Sequence, residues 1–155
     1  ITRDLKGKNP LILGILKGSF IFMADLVRQL DFEVEVEFIG LSSYGNETTS
    51  SGRVKITKKI NDLIQGRHVL IVEDIVDSGL TTSFLIDHLK KRDPASVRLC
   101  TLTSKPARRK VDVTIDYVGF EIPNEFIVGY GIDYKKQYRN VPFVGYFETN
   151  SCKCQ

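Results

Sequence analysis

One segment constrains this chain more than any other: Val69-Leu70-Ile71-Val72-Glu73-Asp74-Ile75-Val76-Asp77-Ser78-Gly79-Leu80-Thr81-Thr82. Its first four residues form a continuous apolar run with no polar alternation, which predicts a strand covered on both faces. The run ends on two carboxylates. A tight turn of small and hydroxyl residues follows. From Leu80 to Leu89 the apolar Leu85, Ile86 and Leu89 predict a helix. A strand buried on both faces that feeds a helix implies a layered α/β fold.

The rest of the chain repeats this logic. Leu11 to Leu16 is a second continuous apolar run, bounded by Pro10 and by Lys17-Gly18. Ser19 is placed to cap a helix in which Phe20, Met23, Ala24, Val27 and Leu30 recur at helical spacing. Val34, Val36 and Phe38 alternate with Glu33, Glu35 and Glu37, a period of two that predicts a strand. Residues 42–52 are rich in Ser, Thr, Gly and Asn, bury little, and predict a mobile loop. Further strands are expected over 54–60, 97–102, 113–122, 126–128 and 143–147, with a turn at Gly66. Strands alternating with helices imply βαβ units, a mainly parallel central sheet and flanking helices. Ligands of such sheets bind beyond the carboxyl ends of the strands. That directs attention to Lys17-Gly18, to Glu73 through Thr82, and to Lys105.

Composition sets outer limits. The 155 residues suffice for a single domain with a real core, and 42% hydrophobic with 26% charged residues is ordinary for a soluble globular protein. A net charge of +3 without a long basic run gives no sign of a nucleic-acid partner; Lys58-Lys59 and Arg108-Arg109-Lys110 read as solvated faces. No apolar run approaches the roughly 18–20 residues of a membrane span. Three cysteines without a secretory signal favour a reducing, cytoplasmic setting, with Cys100 a buried small hydrophobe. His68 reads as strand packing and His88 as a helix surface residue. Because the chain opens on Ile1, a segment before it is expected to be missing from a single domain spanning 1–155.

The turn at 77–82 carries chemistry. Free N–H groups at a helix N-terminus, with the dipole behind them, make a phosphate site, and Gly79 allows close backbone approach. Ser78, Thr81 and Thr82 add hydroxyl donors. The glycine spacing fits neither a Walker A loop nor a dinucleotide fingerprint. The acidic pair Glu73-Asp74 beside the cradle suits a sugar phosphate with vicinal hydroxyls and a hydrated Mg2+ ion.

From Val69 to Thr81 this segment resembles the PRPP-binding signature of the type I phosphoribosyltransferases. Leu16-Lys17-Gly18-Ser19, Ser42-Ser43-Tyr44-Gly45, Lys105-Pro106, Val118 to Pro123, Phe126 to Tyr134 and Tyr138-Arg139 are similar to the hypoxanthine-guanine branch, with a bacterial cast. The likeness runs from about Asp4 to about Val144. It implies the type I fold with a small hood over the purine site. It also implies purine salvage: transfer of the phosphoribosyl group of PRPP to N9 of hypoxanthine or guanine, and xanthine as a further candidate. Mg2+ is the implied cofactor, and a homodimer or homotetramer the implied assembly.

The resemblance assigns roles residue by residue. Lys17 and Gly18 grip pyrophosphate next to a non-proline cis peptide, and Arg139 holds it from the other side. Glu73 and Asp74 face the ribose hydroxyls and the first Mg2+. Asp77 exchanges a proton with purine N7. Ser78, Gly79, Leu80, Thr81 and Thr82 cradle the 5-phosphate. Lys105 donates to the purine 6-oxygen, Phe126 stacks on the base, and the backbone of Ile127 reads its edge. Asp133 lies near a second Mg2+ and the 2-position of the base. Ser43 and Tyr44 sit in a closing loop. Two departures are visible: Leu80 replaces a basic residue of the mammalian members, and 148–155, with its Cys-Lys-Cys, matches no family pattern.

Other functions make different demands. A regulator that reuses this fold to sense PRPP would carry a nucleic-acid-binding element and would not need Asp77. Enzymes of the same fold act on adenine, uracil or orotate, but Lys105, a donor, is mismatched to adenine's 6-amino group.

Overall fold

The computed structural model describes residues 1–44, 53–60 and 63–146. In chain order the elements are α1 (Thr2–Leu5), β1 (Leu11–Leu16), α2 (Phe20–Arg28), β2 (Glu35–Tyr44), β3 (Arg53–Lys58) and β4 (His68–Val76). Then come α3 (Leu80–Lys90), β5 (Ser96–Ser104), a 3-10 turn (Pro106–Arg108), β6 (Tyr117–Glu121), β7 (Ile127–Val128) and β8 (Gly145–Tyr146). Six strands form one sheet in the order β3-β2-β1-β4-β5-β6, with every neighbouring pair parallel except β2 and β3. The antiparallel β7–β8 ribbon stands apart as a second sheet. The sheet is the mainly parallel one that strand–helix alternation predicts.

The continuous apolar runs are explained by two cores, one on each face. Leu11, Leu13 and Ile15 of β1 and Val69 and Ile71 of β4 pack with Leu85 and Leu89 of α3. The intervening Ile12, Leu70 and Val72 pack with Met23 of α2 and Leu5 of α1. Successive side chains of a strand point to opposite faces, so a strand between two helical layers needs apolar residues at every position. Each such Leu or Ile, removed from water, contributes about 1.5–3 kcal/mol before entropy is counted. β2 lies nearer the edge and keeps its alternation. Val34 and Phe38 meet the α2-side core while Val36 is about half exposed.

The strand order reverses between β1 and β4. β2 and β3 lie on one side of β1, and β4, β5 and β6 on the other. At this switch point the loops leaving the two carboxyl ends diverge and open a crevice. Lys17-Gly18 follows β1, while Glu73 and Asp74 lie near the end of β4.

Several boundaries differ from expectation. Ser19 sits at the cap position of α2, yet its hydroxyl makes no cap bond. It donates instead to Ile15 O at 2.7 Å and is buried, which ties the loop back to β1. Of the strand expected over 113–122, only Tyr117–Glu121 pairs. The preceding stretch instead folds over the turn after β4, where Lys110 N and Val111 N both donate to Ser78 O. Ser42, Ser43 and Tyr44 belong to β2, opposite Lys55, Val54 and Arg53, and are therefore strand rather than loop. The remainder of the expected mobile loop, 45–52, lies outside the described residues, as does the Cys-Lys-Cys tail. His68 fits its assignment, with Nδ1 2.7 Å from Ser96 Oγ on the adjacent strand. His88 stacks with Phe84 on α3, and burial with the nearby Arg92, Lys91 and Lys59 charges lowers its pKa. Cys100 is a buried free thiol whose pKa burial pushes up to about 11.

Candidate active site

The carboxyl end of β4 carries Glu73 and Asp74, exposed by only 7% and 8%. Burying two adjacent acids is costly unless a cation or a proton balances them. Burial first, and then the neighbouring Asp74, raise the pKa of Glu73 well above the usual carboxylate range. The backbone beneath them is braced from β5: Thr103 Oγ1 donates to Asp74 O at 2.9 Å, and Thr101 Oγ1 to Thr103 O at 2.9 Å. Neither threonine stands out in the sequence, since each is one polar residue within an apolar strand.

The β1 loop closes against this pair. The Leu16–Lys17 peptide is cis, as the family likeness implies. At Gly18 a Cβ would fall 1.9 Å from Asp74 Oδ2 and 2.4 Å from its Cγ. Only a residue without a side chain lets the two loops meet. Residues 56 positions apart in sequence thus form one wall of the crevice.

Beyond Asp74 the chain turns into α3. Gly79, at φ +82°, takes the left-handed conformation that glycine favours and supplies no cap side chain. Ser78 Oγ accepts from Leu80 N at a long 3.4 Å, and the first turn of α3 holds no acid. The start of α3 thus has no side-chain cap from Gly79 and no acid beside it, an arrangement that suits an anion. Glu73, Asp77, Ser78, Gly79, Thr81 and Thr82 border a cavity of about 130 Å3 here. Leu80 opens the helix at this turn, partly buried.

Asp77 is half-buried. Its Oδ1 lies 3.2 Å from Arg108 Nε, yet no donor is aligned to hydrogen-bond that buried oxygen. Lys105 follows β5 and is 96% buried, its backbone N–H bonded to Val76 O at 3.0 Å. Burial lowers its pKa, and the nearby Asp77 carboxylate opposes that shift. Arg108 and Lys110 are exposed, as the solvated-face reading expects, but Arg109 is turned inward. Arg109 Nη2 donates to Ser104 Oγ at 2.9 Å, its Nη1 is buried without an acceptor, and its Cδ would lie 3.1 Å from a Cβ on Gly79. Only the return of 106–113 across the β4 turn gives these arginines their places, and no local pattern announces that.

Past β6 the chain reaches the ribbon. Ile127 is buried in β7, and Phe126 before it is nearly half exposed, edge-on to Tyr134 at 5.4 Å between ring centroids. Arg139 Nη2 pairs with Asp133 Oδ1 at 2.6 Å, and Lys136 N donates to Asp133 Oδ2 at 2.7 Å. Both oxygens of Asp133 are thus engaged. Among the described residues no three acids, histidines or cysteines cluster as a metal centre. Arg139 Nη1 also donates to Gly131 O at 2.7 Å, and a Cβ on Gly131 would lie 2.1 Å from Gly18 O. So Lys17-Gly18, Glu73-Asp74, the 77–82 turn and the 131–139 segment converge on one crevice. Ser43 and Tyr44 lie at the end of β2.

A larger cavity lies elsewhere. It is about 800 Å3 and mostly apolar, between α2, the ends of β5 and β6, and the ribbon. Of the residues expected to bind ligand, only Ile127 borders it. We take the smaller crevice as the candidate site, because the charged groups, the glycine turn and the start of α3 converge there.

Known proteins agree with this architecture. The phosphoribosyl transferase domain family matches residues 1–135. The chain is 48% identical, over 94% of its length, to the hypoxanthine-guanine phosphoribosyltransferase of Bacillus subtilis, and spans 81% of that protein. It is 52% identical to the bifunctional protein TilS/HprT of Listeria monocytogenes, of which it spans only 22%. It superposes with a TM-score of 0.89 and 51% identity on the hypoxanthine-guanine phosphoribosyltransferase of Bacillus anthracis, covering 94% of this chain and 86% of that one. A hypoxanthine phosphoribosyltransferase of Staphylococcus aureus gives 0.91 at 43% identity, covering 95% and 80%. On the fold, the crevice and these likenesses together, the chain belongs to the phosphoribosyl transferase family.

Proposed function

We propose that this chain is a hypoxanthine-guanine phosphoribosyltransferase of purine salvage, forming IMP or GMP and pyrophosphate from PRPP and a 6-oxopurine. The observation that carries the reading is the meeting of Gly18 with Asp74 across the β1–β4 switch point. It sets the Lys17-Gly18 loop, read here as the pyrophosphate grip, beside an acidic pair that runs into the turn read as the phosphate cradle. The hypoxanthine-guanine phosphoribosyltransferases that the chain resembles support it.

The reaction breaks the bond from the anomeric carbon to pyrophosphate and forms one to purine N9. Positive charge grows on the ribose ring and negative charge on the leaving group. The 5-phosphate is anchored by the N–H groups and hydroxyls of Ser78 to Thr82. Glu73 and Asp74 orient the ribose hydroxyls and face the cationic ring. Lys17, the Gly18 backbone and Arg139 stabilise the departing pyrophosphate. Lys105, already dry, donates to the 6-oxygen. Phe126 stacks on the base, the Ile127 backbone reads its edge, and Asp133 stands near its 2-position. Asp77, whose Oδ1 pairs with Arg108 but has no aligned hydrogen-bond donor, takes the proton from N7.

Mg2+ fits the acidic pair. Two buried adjacent carboxylates, one with a raised pKa, form a site that a cation would relieve, and Mg2+ usually takes one or two carboxylates plus substrate oxygens. When bound, the ion supplies charge neutralisation for the leaving group. Asp133 would join a second site only by giving up part of its pairing with Arg139.

The domain extends over 1–155 in this reading, works in the cytoplasm, and assembles as a homodimer or homotetramer. The cytoplasmic setting rests on the cysteine content, and among the described residues no helix is long and apolar enough to cross a membrane. The test is a spectrophotometric assay with PRPP, Mg2+ and hypoxanthine, guanine or xanthine in turn. Nucleotide should form with the first two and stop in excess chelator. No turnover with any 6-oxopurine would reject the reading.

A further inference from the structure

The Gly129-Tyr130-Gly131 turn is an unusual piece of backbone. All three residues have positive φ, at +94°, +51° and +99°. Its N–H groups are held by Val141 O at 2.8 Å, bonded to Tyr130 N, and Arg139 O at 3.0 Å, bonded to Gly131 N. Nothing in those bonds fixes the turn relative to the main sheet. The side chain of Tyr130 does: its hydroxyl donates to a carboxylate oxygen of Asp25, on α2. That bond is also what pushes the Tyr130 hydroxyl up to about 12.

The consequence is a closed circuit of contacts. The Lys17-Gly18 loop leads directly into α2. About a turn and a half along, α2 presents Asp25, which holds Tyr130. The next residue, Gly131, lies where its Cβ would be 2.1 Å from Gly18 O and 3.8 Å from Ile21 Cβ, back at the start of the helix. Gly131 O in turn accepts from Arg139 Nη1, while Nη2 of the same guanidinium holds Asp133. We propose that Tyr130 and Asp25 are positioning residues of the pyrophosphate site, clamping the 129–131 turn to α2 so that Gly18 and Arg139 face each other at a fixed separation.

Neither side chain touches the proposed substrate groups; each acts through Gly131. The clamp rests on the pyrophosphate roles given above to Lys17, Gly18 and Arg139. Asp25 also pairs with Arg28 on the same helix, so loss of the tyrosine hydroxyl does not strand its carboxylate. Tyr130→Phe therefore removes the clamp while keeping the ring and its burial.

The experiment is calorimetric titration of inorganic pyrophosphate, in the presence of Mg2+, together with steady-state kinetics on the whole chain. For Tyr130→Phe, pyrophosphate affinity and the PRPP KM should each worsen about tenfold, as for loss of one hydrogen bond to a charged group. The hypoxanthine KM should stay within about twofold. A purely structural defect would instead reduce the active fraction and leave both KM values alone. Asp25→Ala should match Tyr130→Phe, the double variant should be no worse than either, and Asp25→Asn, which keeps an acceptor, should recover most of the loss. Unchanged pyrophosphate affinity in Tyr130→Phe overturns the clamp. Arg139→Ala tells the two failures apart. If it weakens pyrophosphate and Tyr130→Phe does not, only the clamp is wrong; if neither does, the pyrophosphate site is misplaced and the clamp falls with it.

Discussion

Replacing Gly18 with alanine adds one carbon at the closest approach between the two loops of the crevice. The new Cβ would lie 1.9 Å from Asp74 Oδ2 and 2.4 Å from Cγ, well inside any van der Waals distance, so Asp74 or the loop must move. Gly18 is not in the left-handed region, and alanine accepts its backbone. The cheaper relief is rotation of the Asp74 side chain away from its minimum, which costs about 0.5–1.5 kcal/mol. Global stability should therefore fall modestly. Function should fall further, because in the proposed site the displaced carboxylate would no longer meet the ribose hydroxyls. A hydrogen bond to a charged group contributes about 1.5–3 kcal/mol, which is roughly ten- to a hundredfold in PRPP affinity. Gly66→Ala is the control. Its φ of +69° penalises any Cβ, but nothing lies within 4 Å of the new atom. It should lose about 1–2 kcal/mol of stability and no PRPP affinity. Denaturant melts and PRPP titration on both variants separate the two effects. Wild-type PRPP affinity in Gly18→Ala would refute the claim that this contact shapes the site.

Three further outcomes are expected. Asp77→Asn should slow single-turnover chemistry by about 100- to 10,000-fold while changing PRPP affinity less than about tenfold; a near-normal rate would reduce Asp77 to a turn residue. Lys105→Ala should weaken 6-oxopurine binding by about 1–3 kcal/mol and PRPP binding much less, and equal losses in paired titrations would remove it as the purine reader. Asp4 accepts hydrogen bonds from Arg3 and Tyr117, with Arg98 close by, and these hold its carboxyl far below the usual 3.8. A depressed folded pKa gives stability that is present above 3.8 and lost as pH falls below it. Thermal melts of Asp4→Asn should accordingly flatten between about pH 5 and 2 relative to the parent; parallel curves would show that Asp4 contributes nothing.

Much of the site was readable because it is contiguous. Strand, acidic pair, glycine turn and helix follow one another within 69–82, and each rests on local rules: burial on both faces, free N–H groups at a helix start, and a backbone that needs glycine at positive φ. Ser19 was misread because a serine before a helix satisfies the cap rule locally, while the nearby Ile15 carbonyl competes for its hydroxyl. The strand expected from Val113 was misjudged because Val113 and Ile115 are apolar for a different reason. They pack on the α3-side core without joining a ladder. Arg109 read as part of a solvated cluster because charge runs usually are, and only the fold turns it inward beside Arg108 and Lys110, which stay exposed.

The amino-acid sequence alone thus determined the layered α/β class, the strands buried on both faces, the glycine turn into α3 and the acids before it, because period and local turn geometry are set by neighbours along the chain. Only the tertiary structure decided which loops meet. Gly18 against Asp74, Tyr130 on Asp25, Arg108 beside Asp77 and Gly131 against Gly18 join residues separated by 31 to 113 positions. Those meetings follow from a strand order that reverses between β1 and β4 and from a segment that doubles back over the turn after β4. No local periodicity encodes such a crossing; it is set by how two apolar faces are covered at once, which is a property of the whole packed sheet.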